Sequence, residues 1–427
     1  MEKLALHGGK PVRNKPYPPN ITTAEEEISA VIQVMKKGVL SDFEGANTKY
    51  FMGGEQIKLL EKEWAERFGV KYAVTVNSAT SGLYAAIGAA GIGPGDEVIV
   101  TPWTMTATAA AILVYNAIPV FCDITTETFN IDPAKLESLI NERTKAIMVV
   151  HIFGNPADMD EIMRIAKKHN LTVIEDVAQA PLALYHGRLT GTIGHMGVFS
   201  LNSNKIIQAG EGGIVTTDDD ELANRLQLIR NHAEAAIATG KKVKSLVNML
   251  GWNYRMNEIE AAIARVQLTK IEDLLERRRA LVAHLEKQLK KIPGIITPVV
   301  KNNTTHSYYR YALKLDPEKI SVPAQIFVKA LQSEGIDFYP SYDLLYLQPL
   351  YQQRIVYGAE GCPFTCHHYT GNVDYSKGIC PNAEALGSQV FSTEIVRPPM
   401  TISDMDEIVH AFEKIMSNIE HLQKINP

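Results

Sequence analysis

The chain has 427 residues, 45% hydrophobic and 21% charged, with a formal net charge of −5. That is an ordinary soluble globular composition, long enough for two domains around a shared cleft, and its negative balance disfavours nucleic acid. No window reaches the eighteen or so apolar residues of a membrane span, and the first residues lack a signal peptide's apolar stretch, so the expected location is cytoplasmic.

In chain order, residues 73–76, 97–100, 118–121, 146–150, 173–176 and 197–200 read as buried strands. Helix-length stretches such as 80–90 and 158–169 lie between them. Such alternation predicts an α/β fold, a mostly parallel central sheet flanked by helices, with ligands at the carboxyl ends of the strands. Residues 256–292 read as two helices, one with an Ile259, Ala262, Ile263, Val266 stripe and one with Leu274, Leu281 and Leu285, ended by Pro293-Gly294. The domain boundary falls in this region: a large domain with its N-terminal arm at 1–275, and a smaller C-terminal α+β domain at 276–427. A last helix starts near Ser403, with Ser403 and Asp406 at capping-box spacing and Ile408, Phe412, Ile415 and Ile419 on its apolar face.

Three strand ends carry the chemistry. The first runs through Asn77-Ser78-Ala79-Thr80-Ser81-Gly82 into a helix. Small residues at a helix N-terminus leave N–H groups for an anion, a phosphate above all, although Ser78 as a simple cap explains the same residues. The second ends in Glu175-Asp176-Val177-Ala178-Gln179, where Asp176 is either a turn residue or a carboxylate facing a crevice. The third leads through Phe199-Ser200 to Lys205 and the turn Gly210-Glu211-Gly212-Gly213. A lysine there becomes a useful amine nucleophile only when burial or a cationic neighbour lowers its pKa. Singly, each has a bland explanation. Together, an anion cradle, a carboxylate and a sheltered lysine on one sheet edge suit pyridoxal phosphate: phosphate in the cradle, aldehyde on the lysine, carboxylate on the ring nitrogen.

These motifs, with His151-Ile152-Phe153-Gly154 and Leu250-Gly251-Trp252-Asn253-Tyr254-Arg255-Met256-Asn257-Glu258-Ile259, resemble those of the DegT/DnrJ/StrS family of sugar aminotransferases along nearly the whole chain. The resemblance implies a fold type I transferase, usually a homodimer with active sites at the interface. It implies Lys205 as the Schiff-base lysine, Asp176 on the pyridine nitrogen and Gln179 near the ring hydroxyl. It further implies Ser200 with the backbone at Ala79 and Thr80 on the phosphate, and Asn253 on the phosphate of the neighbouring subunit's cofactor. The reaction implied is transfer of an amino group from L-glutamate or L-glutamine to the ketone of a nucleotide-linked sugar or a cyclitol. The family usually stacks an aromatic side chain on the cofactor ring. Here the matching segment is Thr104-Met105-Thr106-Ala107-Thr108, so Met105 takes that place, with Trp103 as the other candidate.

Beyond these, 339–375 is rich in tyrosine, and it reads either as a lid over sugar hydroxyls or as packing. Cys362, Cys366, His367, His368 and Cys380 have a metal-like composition without the paired knuckles of a closed zinc site, so no metal is expected. The four cysteines are read as free thiols of a reducing compartment. The His306-Ser307-Tyr308-Tyr309-Arg310 segment is a weak candidate for substrate contact, and Arg397 could anchor a donor carboxylate or form a structural ion pair. Rival activities are dehydration or aromatisation on the same fold, nucleotide-dependent oxidoreduction, and a non-catalytic regulatory role. The dehydrating branch has histidine where Lys205 stands, and no Gly-x-Gly-x-x-Gly follows the first strand.

Overall fold

Seven strands build the main sheet of the computed structural model, which describes residues 2–234 and 244–423. They are β1 (Tyr72–Val76), β2 (Glu97–Val100), β3 (Ile118–Phe121), β4 (Thr144–Val150), β5 (Thr172–Asp176), β6 (Met196–Ser200) and β7 (Gly213–Thr217). Their order is β1-β7-β6-β5-β4-β2-β3, and only β7 runs against its neighbours. The six predicted strands therefore stand, and they share one direction. The departure is β7: the glycine-rich turn at 210–213 feeds straight into a fully buried strand, Gly-Ile-Val-Thr-Thr.

Helices cover both faces, and strand alternation divides the core between them. Val198 of β6 packs with α1 (Ala79–Ala89) and α2 (Thr106–Val114), whereas the next residue, Phe199, packs with Trp64 and Phe68 of an earlier helix, Glu55–Phe68. α1 sits close to the sheet because Gly82 faces it; a Cβ there would come within 2.9 Å of Val198.

The two helices read at 256–292 are one, α3 (Glu258–Leu289), 32 residues long. Nothing between the two apolar stripes breaks a helix, and Asn257 with Glu260 closes a capping box at its start. Its deepest face is Ala261, Ala264, Leu268, Ile271 and Leu275 against the main-sheet core; further along, Leu281, Val282, Leu285 and Leu289 join a second core. That core is built on an antiparallel sheet of β8 (Ile295–Ile296), β9 (Tyr311–Leu315), β10 (Tyr339–Pro340) and β11 (Val390–Thr393), in the order β8-β9-β11-β10. Phe327, Phe338, Phe391 and Phe412 interlock at its centre.

The last long helix, α4 (Ile402–Ser417), starts earlier than Ser403: Thr401 is the cap and pairs with Asp404 in the box. Ile408, Phe412 and Ile415 are buried as expected, while Ile419 belongs to a separate turn, Ile419–Leu422. Thr401→Ala should lower stability by about 1 kcal/mol, read as a shifted denaturation midpoint with unchanged slope; an equal loss from Ser403→Ala would contradict the assignment.

The cysteine expectation needs correcting: Cys362 and Cys366 are joined in a disulfide, and Cys122 and Cys380 are free and buried. Among the described residues no helix is long and apolar enough to cross a membrane.

Candidate functional site

The carboxyl ends of β1, β2, β5 and β6 open on one cavity of about 280 Å³. Ser78 caps α1, its hydroxyl accepting from the Ser81 N–H at 3.0 Å. The capping reading of Ser78 is thus realised, and Ala79 and Thr80 at the helix start line the cavity with Ser200. The approach of β7 is close enough that a Cβ on Gly213 would lie 2.6 Å from the nitrogen of Ala79. A side chain at that position would push the start of α1 out of place.

Two neighbouring carboxylates at the end of β5 have opposite fates. Glu175 is fully buried and well satisfied: it accepts N–H bonds from Gly191, Ile193 and Gly194 at 2.9, 2.8 and 2.6 Å and pairs with His151 at 2.8 Å. His151 Nδ1 accepts from the Ala157 N–H, so Nε2 donates. Burial pushes the Glu175 pKa up, but His151 and the N–H groups outweigh it and hold the carboxyl below its usual range. Asp176, turned to the cavity, is 6% exposed and has two neutral donors: the Thr108 hydroxyl at 2.9 Å and the Ala178 N–H at 3.1 Å. Burial raises its pKa, against those donors and the charge of Lys205. A buried carboxylate short of a cation is costly unless a bound group supplies one.

Lys205 lies across the same cavity. The loop carrying it is tied down by Ser203 N–H to Gly210 O at 3.0 Å and by the Asn20 side-chain amide, which donates to the Ser203 and Lys205 carbonyls. Its amine donates to the Tyr309 hydroxyl at 3.3 Å and sits 4.3 Å from that ring's centroid. Desolvation pulls its pKa down, with Tyr342 and Asp176 opposing.

Gln179 also lines the cavity; its Oε1 accepts from the Phe153 N–H at 2.7 Å and its Nε2 donates to the Tyr342 hydroxyl at 3.3 Å. Between the two ring-covering candidates the cavity touches Met105, which is 56% exposed at its rim. Trp103 is fully buried, edge-on to Phe129 and Phe153, with its indole N–H on the Tyr342 carbonyl. Asn253 stands outside this cavity, exposed, in a bridge with Asn231.

So Ala79, Thr80, Met105, Asp176, Gln179, Ser200 and Lys205 come together, and Asn253 does not. Reading the chain missed Thr108, whose signal was its place one turn into the helix after β2, and Asn20, which has no local signal. The tyrosine-rich stretch is mostly packing and surface. Tyr346, Tyr351, Tyr369 and Tyr375 are buried, three of them packed on Phe121 or one another, and Tyr339 and Tyr357 face solvent. Only Tyr342 of the seven lines the cavity. In the 306–310 segment, His306 is buried and neutral, its pKa pushed down to about 3 by burial and Arg279, whereas Tyr309 and Arg310 face the cavity. Arg397 does not line this cavity and forms no ion pair among the described residues; it donates to the carbonyls of Pro398 and Pro18. Among the described residues no cluster of His, Cys, Asp or Glu could hold a metal ion.

The profile of the DegT/DnrJ/EryC1/StrS aminotransferase family matches residues 23–375. GDP-perosamine synthase of Caulobacter vibrioides is 40% identical over 299 residues, covering 70% of this chain and 79% of its own. The L-glutamine:2-deoxy-scyllo-inosose aminotransferase of Streptomyces fradiae is 31% identical over 430 residues and covers 97% of both chains. The X-ray structure of an aminotransferase from Psychrobacter cryohalolentis superposes with a TM-score of 0.81 at 29% identity, covering 95% of this chain and all of the other.

Proposed function

The chain belongs to the DegT/DnrJ/EryC1/StrS aminotransferase family, and from that premise we propose that it moves an amino group from L-glutamate or L-glutamine to the ketone of a sugar or cyclitol, with pyridoxal 5′-phosphate as cofactor. One observation carries the reading: the α1 N-terminus, the cation-poor Asp176 and the desolvated Lys205 face one cavity.

The residues fit the cofactor. Ala79 and Thr80 N–H groups and the Ser200 hydroxyl would hold its phosphate, Asp176 its protonated ring nitrogen, Gln179 its ring hydroxyl, and Met105 would cover one ring face. When bound, the cofactor supplies an electron sink for the carbon that loses its proton. Lys205 does the proton work: desolvation keeps more of its amine neutral at working pH, so Nζ can take a proton from the donor's Cα and deliver it on the same face. The Tyr309 hydroxyl accepts from that amine and aims it. Thr108 and Ala178 keep both oxygens of Asp176 in place.

A homodimer is part of this reading. An early helix, Glu25–Lys37, exposes Ile28, Ile32 and Met35, and Leu246, Val247, Leu250 and Trp252 are exposed beside Asn253. Paired in a second copy, such apolar surface would be covered and Asn253 brought to the partner's cavity. The chain divides into cofactor-binding and smaller parts at 275/276, within α3. Inosose and nucleotide-sugar acceptors are both supported by relatives.

The test loads purified protein with pyridoxal phosphate, adds glutamate or glutamine, and follows the cofactor's absorbance. Inosose-type and nucleotide-linked ketones are then offered singly. The expected result is bleaching by the donor, and recovery with an aminated product for one acceptor class. A cofactor-loaded protein that no α-amino acid bleaches would refute the proposal.

A further inference from the structure

The cavity is lined by two cationic side chains among the described residues, Lys205 and Arg310. Arg310 directly precedes β9 and is held from one side: its Nε and Nη2 both donate to the same oxygen of Glu394, at 2.9 and 2.6 Å. No second carboxylate among the described residues pairs with it. The guanidinium lies 5.4 Å from the centroid of the Tyr342 ring and 6.0 Å from that of Tyr309. The Tyr309 ring is also the one on which the Lys205 amine rests. Both cations therefore stand against one phenol.

We infer that Arg310 is the anchor for the α-carboxylate of the amino donor, its unshared edge receiving the carboxylate while Glu394 fixes the fork. This rests on the transamination reading above. In an α-amino acid the carboxylate and the amine share one carbon, so an anchor must lie beside the place where the amine is delivered. Arg310 meets that condition, and the neighbouring arginines are otherwise engaged. Arg278 donates to the backbone carbonyls of Tyr308, Tyr309 and Val396, and Arg397 to those of Pro18 and Pro398. A planar guanidinium binds a carboxylate through two parallel N–H bonds, which also fixes which face of the donor's Cα meets the lysine. With Glu394 neutralising Arg310, a neutral ketone can use the same cavity in the second half of the cycle.

The test compares wild type, Arg310→Gln and Arg310→Lys, all loaded with pyridoxal phosphate and all checked for unchanged melting temperature. Binding is measured calorimetrically with 2-methylglutamate, which has no Cα proton to lose, and half-reactions with glutamate or glutamine and with the matching decarboxylated amines. Arg310→Gln should weaken 2-methylglutamate binding by about 30-fold, and Arg310→Lys by less, as expected for loss of a charge-assisted pair. The preference for the amino acid over its decarboxylated amine should collapse, while the acceptor KM stays within about threefold. Unchanged donor binding would reduce Arg310 to a structural partner of Glu394. A rise in acceptor KM with donor binding intact would assign the anion to the acceptor instead. If the wild type itself neither binds nor reacts with any α-amino acid, the fault lies with the transamination reading and is seen before any variant is compared.

Discussion

Lys205→Ala is expected to abolish turnover. Loss of a positioned general base alone costs about 10²- to 10⁴-fold, and the covalent seat of the cofactor disappears with it. Stability should move the other way. In the folded chain without cofactor the lysine's pKa is lowered by desolvation, so the unfolded chain binds its proton more readily. The resulting penalty on folding is fully present below the lowered folded-state value, and it fades as pH rises from there to the ordinary lysine value of about 10.4. The cofactor-free Lys205→Ala protein should therefore melt above the wild type at pH 7, and that advantage should vanish near pH 11. Retained transamination would sink the assignment of the base, and equal melting temperatures at pH 7 would sink the claim that the amine is held at a cost.

Asp176→Asn is the second large effect. An amide cannot balance a protonated ring nitrogen, and a charge pair about 4 Å apart at an effective dielectric near 20 amounts to about 4 kcal/mol. That corresponds to about a thousandfold in rate. The stability effect again reverses. The folded-state pKa of Asp176 is raised by burial, so its cost is absent below about pH 3.9 and grows as pH rises through the folded value. The cofactor-free variant should be no less stable than wild type at neutral pH. Measuring kcat, and melting curves at pH 4 and 7, separates these claims. A variant with normal rates would mean that some other group holds the ring.

Much of this was legible in the chain because buried parallel strands are written as continuous apolar runs, and their ends line the cavity. Asp176 and Lys205 stand where those runs stop, whichever distant segments surround them. What escaped depends on partners far away in the chain. Gly213 looked like the end of a turn, because its need for small size comes from Ala79, more than 130 positions earlier. The tyrosines of 339–375 carry the same residue type into core, solvent and cavity alike, and distant partners such as Phe121 and Glu97 distinguish them. The break expected inside 256–292 failed for a different reason: two apolar stripes on one helix signal two surfaces to be covered, and no residue there stops the backbone from continuing.

That unbroken helix has a mechanical consequence. At 1.5 Å per residue its 32 residues make a rod of about 48 Å, clamped in the first core at one end and in the second at the other. Arg278, two-thirds of the way along, grips the successive carbonyls of Tyr308 and Tyr309. A substitution within the rod would therefore be felt at Tyr309 through Arg278, whereas trimming Tyr342 or Met105, which line the cavity without touching the rod's grip, would widen the cavity and leave Tyr309 where it is.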